Sequence, residues 1–176
     1  GELLGRFVEL SGGAATAALT SVAQLIAEAQ RRNELAAWIG NRGYTFYPPD
    51  FAAAGIDLAA LPVVHVSDAI KAARAADALI RSGGFAIVVM DLGYKAELPM
   101  PVQTRLVGLA KKHRTALVCI TRRDDDAAPL GSLASIRGET EKHRAGFDRF
   151  ECALRIVKDK RHSPGWVHTE KCRGAD

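Results

Sequence analysis

Residues 5–30, GRFVELSGGAATAALTSVAQLIAEAQ, decide the fold. Phe7, Val8 and Leu10 form a short apolar run of the kind that makes a buried strand. Ser11, Gly12 and Gly13 break it. From Thr16 the apolar residues Leu19, Val22, Ala23, Ile26 and Ala27 recur at helical spacing, so one face is apolar over roughly two turns. Strand, glycine turn and helix N-terminus together are the frame of a phosphate-binding loop, where backbone N–H groups and the helix dipole cradle an anion. A nucleotide-hydrolysing loop ends in Gly-Lys-Ser/Thr. Here Ala17, Ala18 and Leu19 stand instead. The frame is present without its cation and hydroxyl, and an ordinary strand–helix turn reads equally well from these residues alone.

Outward from this stretch, strands and helices alternate. The first helix ends near Arg31, Arg32 and Asn33, and basic residues suit a helix C-terminus. Leu35 to Ile39 reads as a second strand, followed by a turn through Gly40, Asn41, Arg42 and Gly43. Pro48-Pro49 forces an extended or turn conformation, and Asp50 can cap a short helix from Phe51 to Ala54. Val63 to Val66 is a third strand. Ser67 caps a helix that Gly83-Gly84 stops. Phe85 to Met90 and Thr115 to Ile120 are continuous apolar strands, the pattern of a parallel sheet covered on both faces. A helix from Val102 to His113 lies between them.

Leu130, Leu133 and Ile136 fall on one side of a possible helical turn. Residues 137–144, RGETEKHR, read as a polar, mobile loop. Arg137, Lys142 and Arg144 could touch phosphates there, or the segment is simply a solvated charged loop. Arg149 to Val157 alternates apolar and polar, a half-buried strand, and Trp166 to Cys172 returns as its hairpin partner. The expected architecture is one α/β domain over residues 1–176, with a mostly parallel sheet flanked by helices and a C-terminal antiparallel hairpin.

Composition is that of an ordinary globular domain: 48% hydrophobic, 25% charged, net charge +4. Mild basicity permits contact with nucleic acid without requiring it. No apolar run approaches the roughly 20 residues of a membrane span. Gly1-Glu2 offers neither the basic start nor the apolar core of a signal peptide, so a cytoplasmic location is expected. The cysteines, Cys119, Cys152 and Cys172, lie far apart and read as free thiols. The histidines are not spaced as zinc ligands, and no metal or cofactor is expected.

The chain resembles the RecA family. The register is gap-free from Gly5-Arg6 to Gln30, with Gly12 and Gly13 in the loop. It puts the family's phosphate-gripping lysine on Ala18 and its magnesium-holding hydroxyl on Leu19. The family's water-activating glutamate falls on Arg42, and a cation cannot take that proton. Asp91 occupies the Walker B position as a relic, and the γ-phosphate-sensing pair falls on Thr121 and Arg122. Residues 54–61, AGIDLAAL, and 155–160, RIVKDK, also match family segments. The resemblance places the lysines that reach a neighbouring subunit's ATP on Lys158 and Lys160, beside Arg161. They are otherwise solvated hairpin charges.

Within the superfamily, FYPPDFAAAGIDLAALPVV, LGSLASIRGE and KDKRHSPGW look like the ImuA family. That resemblance implies a part in the SOS response and damage-induced mutagenesis. The implied partners are RecA and the polymerase-like ImuB, with a DnaE-type polymerase indirectly, in a translesion mutasome. It implies a non-catalytic adaptor with a degenerate nucleotide site. The competing expectations are a DNA-dependent ATPase of recombinase type and a single-stranded-DNA-binding module. A fragment of a longer protein is an open reading of the chain.

Overall fold

The computed structural model describes residues 2–13, 16–41, 46–94, 97–122, 130–147 and 149–173. The first apolar run becomes β1 (Phe7–Gly12), buried from Phe7 to Ser11. It leads into α1 (Ala18–Arg31), which buries Val22, Ala23, Ile26 and Ala27 along one face. The chain continues through β2 (Leu35–Asn41), α2 (Pro48–Ala53), a 3₁₀ turn (Leu58–Ala60), β3 (Val63–Val66), α3 (Ala69–Ser82), β4 (Phe85–Tyr94) and α4 (Met100–His113). It ends with β5 (Ala116–Arg122), β6 (Ile136–Arg144), β7 (Arg149–Asp159) and β8 (Val167–Arg173).

All eight strands form one sheet in the order β3-β2-β4-β5-β1-β6-β7-β8. Every pairing from β3 to β6 is parallel, and the β6–β7 and β7–β8 pairings are antiparallel. Side chains alternate across each strand, so the sheet has two cores. Val8, Leu10, Trp38 and Val89 pack under α1 and the α2 segment. Phe7, Ile39, Val88, Met90 and Leu117 pack under α3 and α4. Each fully buried aliphatic side chain, such as Ile26 or Ile80, contributes about 1.5–3 kcal/mol. The expected α/β architecture, with its mostly parallel sheet and antiparallel C-terminal hairpin, is the observed one.

Four local expectations need correction. Residues 137–144 are not a mobile loop but most of β6, a nine-residue strand. Its parallel pairing puts Val8 opposite Ile136 and Ser11 opposite Glu139. Leu130 to Ile136 forms no helix: a turn covers residues 132–133, and Ile136 opens β6. Asp50 does not cap α2. The N-cap is Tyr47, and Pro48 takes the first helical position, where its missing N–H costs nothing. The cap of α3 is Asp68, whose Oδ1 accepts the Lys71 N–H at 2.8 Å, and the Ser67 hydroxyl donates to Asp68 instead.

Candidate functional site

The carboxyl ends of β1, β4 and β5 meet at one level, with Ser11 opposite Thr121, Gly12 opposite Arg122, and Asp91 opposite Ile120. In open parallel sheets this is where ligands bind. The N-terminus of α1 faces that edge. Ala14 and Ala15 of the loop lie outside the described residues, as does Arg42.

The start of α1 is occupied by the chain's own hydroxyls. Its N-cap residue, Ala17, makes no side-chain cap. Thr16 Oγ1 accepts the Ala18 N–H at 3.1 Å, and lies 2.7 Å from Thr140 Oγ1. Thr140 Oγ1 donates to the Ser11 carbonyl at 3.1 Å. Each hydroxyl carries one proton, so the direction is fixed: Ala18 donates to Thr16, Thr16 to Thr140, and Thr140 to Ser11. Gly12 makes room for this chain. A Cβ there would collide with Thr16 Oγ1 and stand 2.7 Å from both the Thr140 carbonyl and hydroxyl. Ala18 and Leu19 differ in setting: Ala18 is fully buried in the core under α1, while Leu19 is partly buried against it.

Asp91 is 6% exposed, and among the described residues neither carboxylate oxygen has a partner within hydrogen-bond geometry. Burial raises its pKa from 3.8 to about 6, while the Arg122 guanidinium and the Gly93 amide pull it partway back. Thr121 is buried and turned to the other face, its hydroxyl 3.3 Å from Glu9 Oε1. Sequence reading missed Glu9 as a hub. Its fully buried carboxylate also accepts the Leu130 N–H at 2.9 Å and Arg137 Nε at 3.0 Å. A lone acid within an apolar run, Glu9 between Val8 and Leu10, is the signal that could have found it.

Around residues 130–135 four cations and the amide of Gln103 converge. Gln103 donates to the Leu130 carbonyl, Arg137 to Gly131, Lys158 to Ser132 at 2.8 Å, Lys160 to Leu133 at 3.5 Å, and Arg6 to Ser135. Five carbonyls of one short segment are thus held by five side chains. Arg6 also forms a buried ion pair with Asp159, whose carboxyl falls to about 2, chiefly through its hydrogen bond from Arg6. Partial burial and the neighbouring Lys160 and Arg137 charges lower the Lys158 pKa.

The structure separates the residues expected at DNA. Arg137 turns inward to Glu9, Lys142 Nζ sits 4.3 Å from the centre of the Phe150 ring, and Arg144 donates to the Gly146 and Phe147 carbonyls. Lys158, Lys160 and Arg161 do lie together at the end of β7. Phe46 packs on Trp38 and Phe51, while Tyr47 is exposed. Burial raises the Cys119 thiol well above its ordinary range and lifts Cys172 to about 12, so neither supplies a thiolate. Among the described residues no helix is long and apolar enough to cross a membrane, and no three His, Cys, Asp or Glu residues group to hold a metal.

A mostly parallel sheet with a loop-to-helix site at its carboxyl edge is consistent with a RecA-like fold. The particular relative bears this out: the chain is 36% identical over 109 residues to Protein RecA of Corynebacterium jeikeium (strain K411). The match takes in 60% of this chain and 29% of that relative's length, and supports a RecA-like relationship. No family model matches.

Proposed function

We propose that this chain is a non-catalytic RecA-fold adaptor of the ImuA type, acting in SOS repair and damage-induced mutagenesis. The observation that carries the reading is Ala18. It stands where a RecA-type ATPase needs a cation over the phosphates, and it is fully buried in the core. The hydroxyl chain from Thr16 supports it, because it consumes an amide that an anion would need. Removing one transition-state donor commonly costs about 100- to 1000-fold in rate. Leu19 and Arg122 stand at two further positions of the same machinery. The expected result by calorimetry is no micromolar affinity for ATP. Such affinity, with turnover abolished by Asp91→Ala, would revive the enzyme reading.

The partners of this reading are RecA and ImuB, with a DnaE-type polymerase reached indirectly. The domain docks on RecA as a false protomer and limits filament growth. Head-to-tail assembly extends only while each subunit offers both faces. Lys158 and Lys160 exchange the Ser132 and Leu133 carbonyls for phosphates on the adjoining RecA, each contact being worth about 1.5–3 kcal/mol. This domain then offers no ATP to the next subunit. The test is RecA-dependent ATP hydrolysis on single-stranded DNA with increasing amounts of this domain. Inhibition that weakens in Lys158→Ala, Lys160→Ala supports docking. No inhibition, or undiminished inhibition by the double variant, rejects it.

A further inference from the structure

A groove of about 430 Å³ runs between α3 and α4 and is lined by residues of those two helices, with neither Lys158 nor Lys160 in its wall. Ile70, Ala73, Val102 and Leu106 give it an apolar floor, and Arg74, Arg81 and Arg105 stand along it. One acid, Asp77, lies between them. Its Oδ1 takes Arg81 Nε at 2.7 Å, and its Oδ2 takes Arg105 Nε. Asp77 is 13% exposed, while the two arginines are 58% and 62% exposed.

Exposed arginines normally spread over many rotamers, and fixing them costs up to about 2 kcal/mol each on binding. Here one buried-side carboxylate holds two guanidiniums by Nε. Among the described residues, no hydrogen bond or ion pair engages their terminal amino groups, which fork to a carboxylate and remain for another acid. Arg74 has no ion pair among the described residues, and the nearby Lys71 is paired with Asp68. Three cations against one acid leave the rim electropositive above an apolar floor. A groove between two packed helices takes the ridge of a third.

We propose that the α3–α4 groove docks an acidic amphipathic helix of a partner protein. Apolar residues of that helix seat over Ala73 and Leu106, and flanking carboxylates pair with Arg74, Arg81 and Arg105. Asp77 is a positioning residue, keeping two of those arginines in place. The site is independent of Lys158 and Lys160.

The probe is a fluorescein-labelled synthetic helix with leucine on one face and glutamate flanking it, read by anisotropy and by amide shifts of the isotope-labelled domain. Binding is expected, with shifts confined to α3 and α4 and affinity falling as salt rises. Arg74→Glu with Arg105→Glu weakens it at least about tenfold, the size expected from losing a charge-assisted pair. Asp77→Asn weakens it less. Ile70→Ser weakens it without changing the salt slope. The proposal is overturned by no binding up to millimolar peptide. Equal binding of a composition-matched scrambled peptide, or unchanged affinity in the charge-reversed variant with its circular dichroism intact, overturns it too.

Discussion

Two aspartates show how one residue type takes opposite roles. Asp159 is bound by the Arg6 guanidinium, and its pKa falls from 3.8 to about 2. It stabilises the fold fully above pH 4, and that contribution, about 2.5 kcal/mol, is lost as pH falls through 2. Asp159→Ala leaves Arg6 buried and unpaired, and is expected to cost about 3–5 kcal/mol in urea unfolding at pH 7. Asp91 works the other way. Its pKa is raised, so the folded state binds a proton more tightly than the unfolded chain. Stability is highest below about pH 4 on this account and falls as pH rises to 6, by about 3 kcal/mol in total. Asp91→Asn should therefore stabilise the domain at pH 7.5 and leave it unchanged at pH 3. An equal effect at both pH values would show that folding does not shift the Asp91 pKa.

Among elements, β6 is the one the sequence hid. Strand recognition depends on alternating apolar residues, and β6 has only Ile136. The alternation exists all the same: Ile136, Gly138 and Thr140 are buried, while Arg137, Glu139 and Glu141 are less so. Glycine and threonine carry the inward side, and neither registers as apolar. The strands β4 and β5 were legible because both faces are covered and Phe85 to Met90 and Ala116 to Ile120 are continuous apolar runs. Of the site, Ala18 was legible as the place where the resemblance expects a lysine, since a substitution is visible in a register. The hydroxyl chain was not, because Thr16 and Thr140 lie 124 residues apart in sequence. Two variants test the β6 account by urea midpoint. In Gly138→Ala the new Cβ meets Leu154 Cδ1 at 2.6 Å and Leu10 Cδ2 at 2.9 Å, an overpacking expected to cost about 1–3 kcal/mol. Thr140→Val keeps the shape and strands both the Thr16 proton and the Ser11 carbonyl, again about 1–3 kcal/mol.

At the scale of the molecule, the sheet brings an anion-loop frame, a carbonyl segment held by cations, and a helix groove to separate places. The frame and the cationic segment share β1 and β6, while α3 and α4 stand on one sheet face by themselves. Changes in the groove should therefore add to changes at Lys158 and Lys160 without coupling. The measurement is a cycle on RecA inhibition: Arg74→Glu, Arg105→Glu combined with Lys158→Ala, Lys160→Ala should give the product of the separate effects.

The position of β1 between β5 and β6 also governs how the chain is made. β1 has neither lateral neighbour until Ala116 and Ile136 have emerged. At roughly 5–20 residues per second, that is a wait on the order of ten seconds. Meanwhile Val8 and Leu10 have α1 to cover them, but no neighbouring strand pairs with the backbone of β1. A ribosome-bound chain stopped at Arg114 should be cut readily by protease within β1, and one carried through Arg173 should resist.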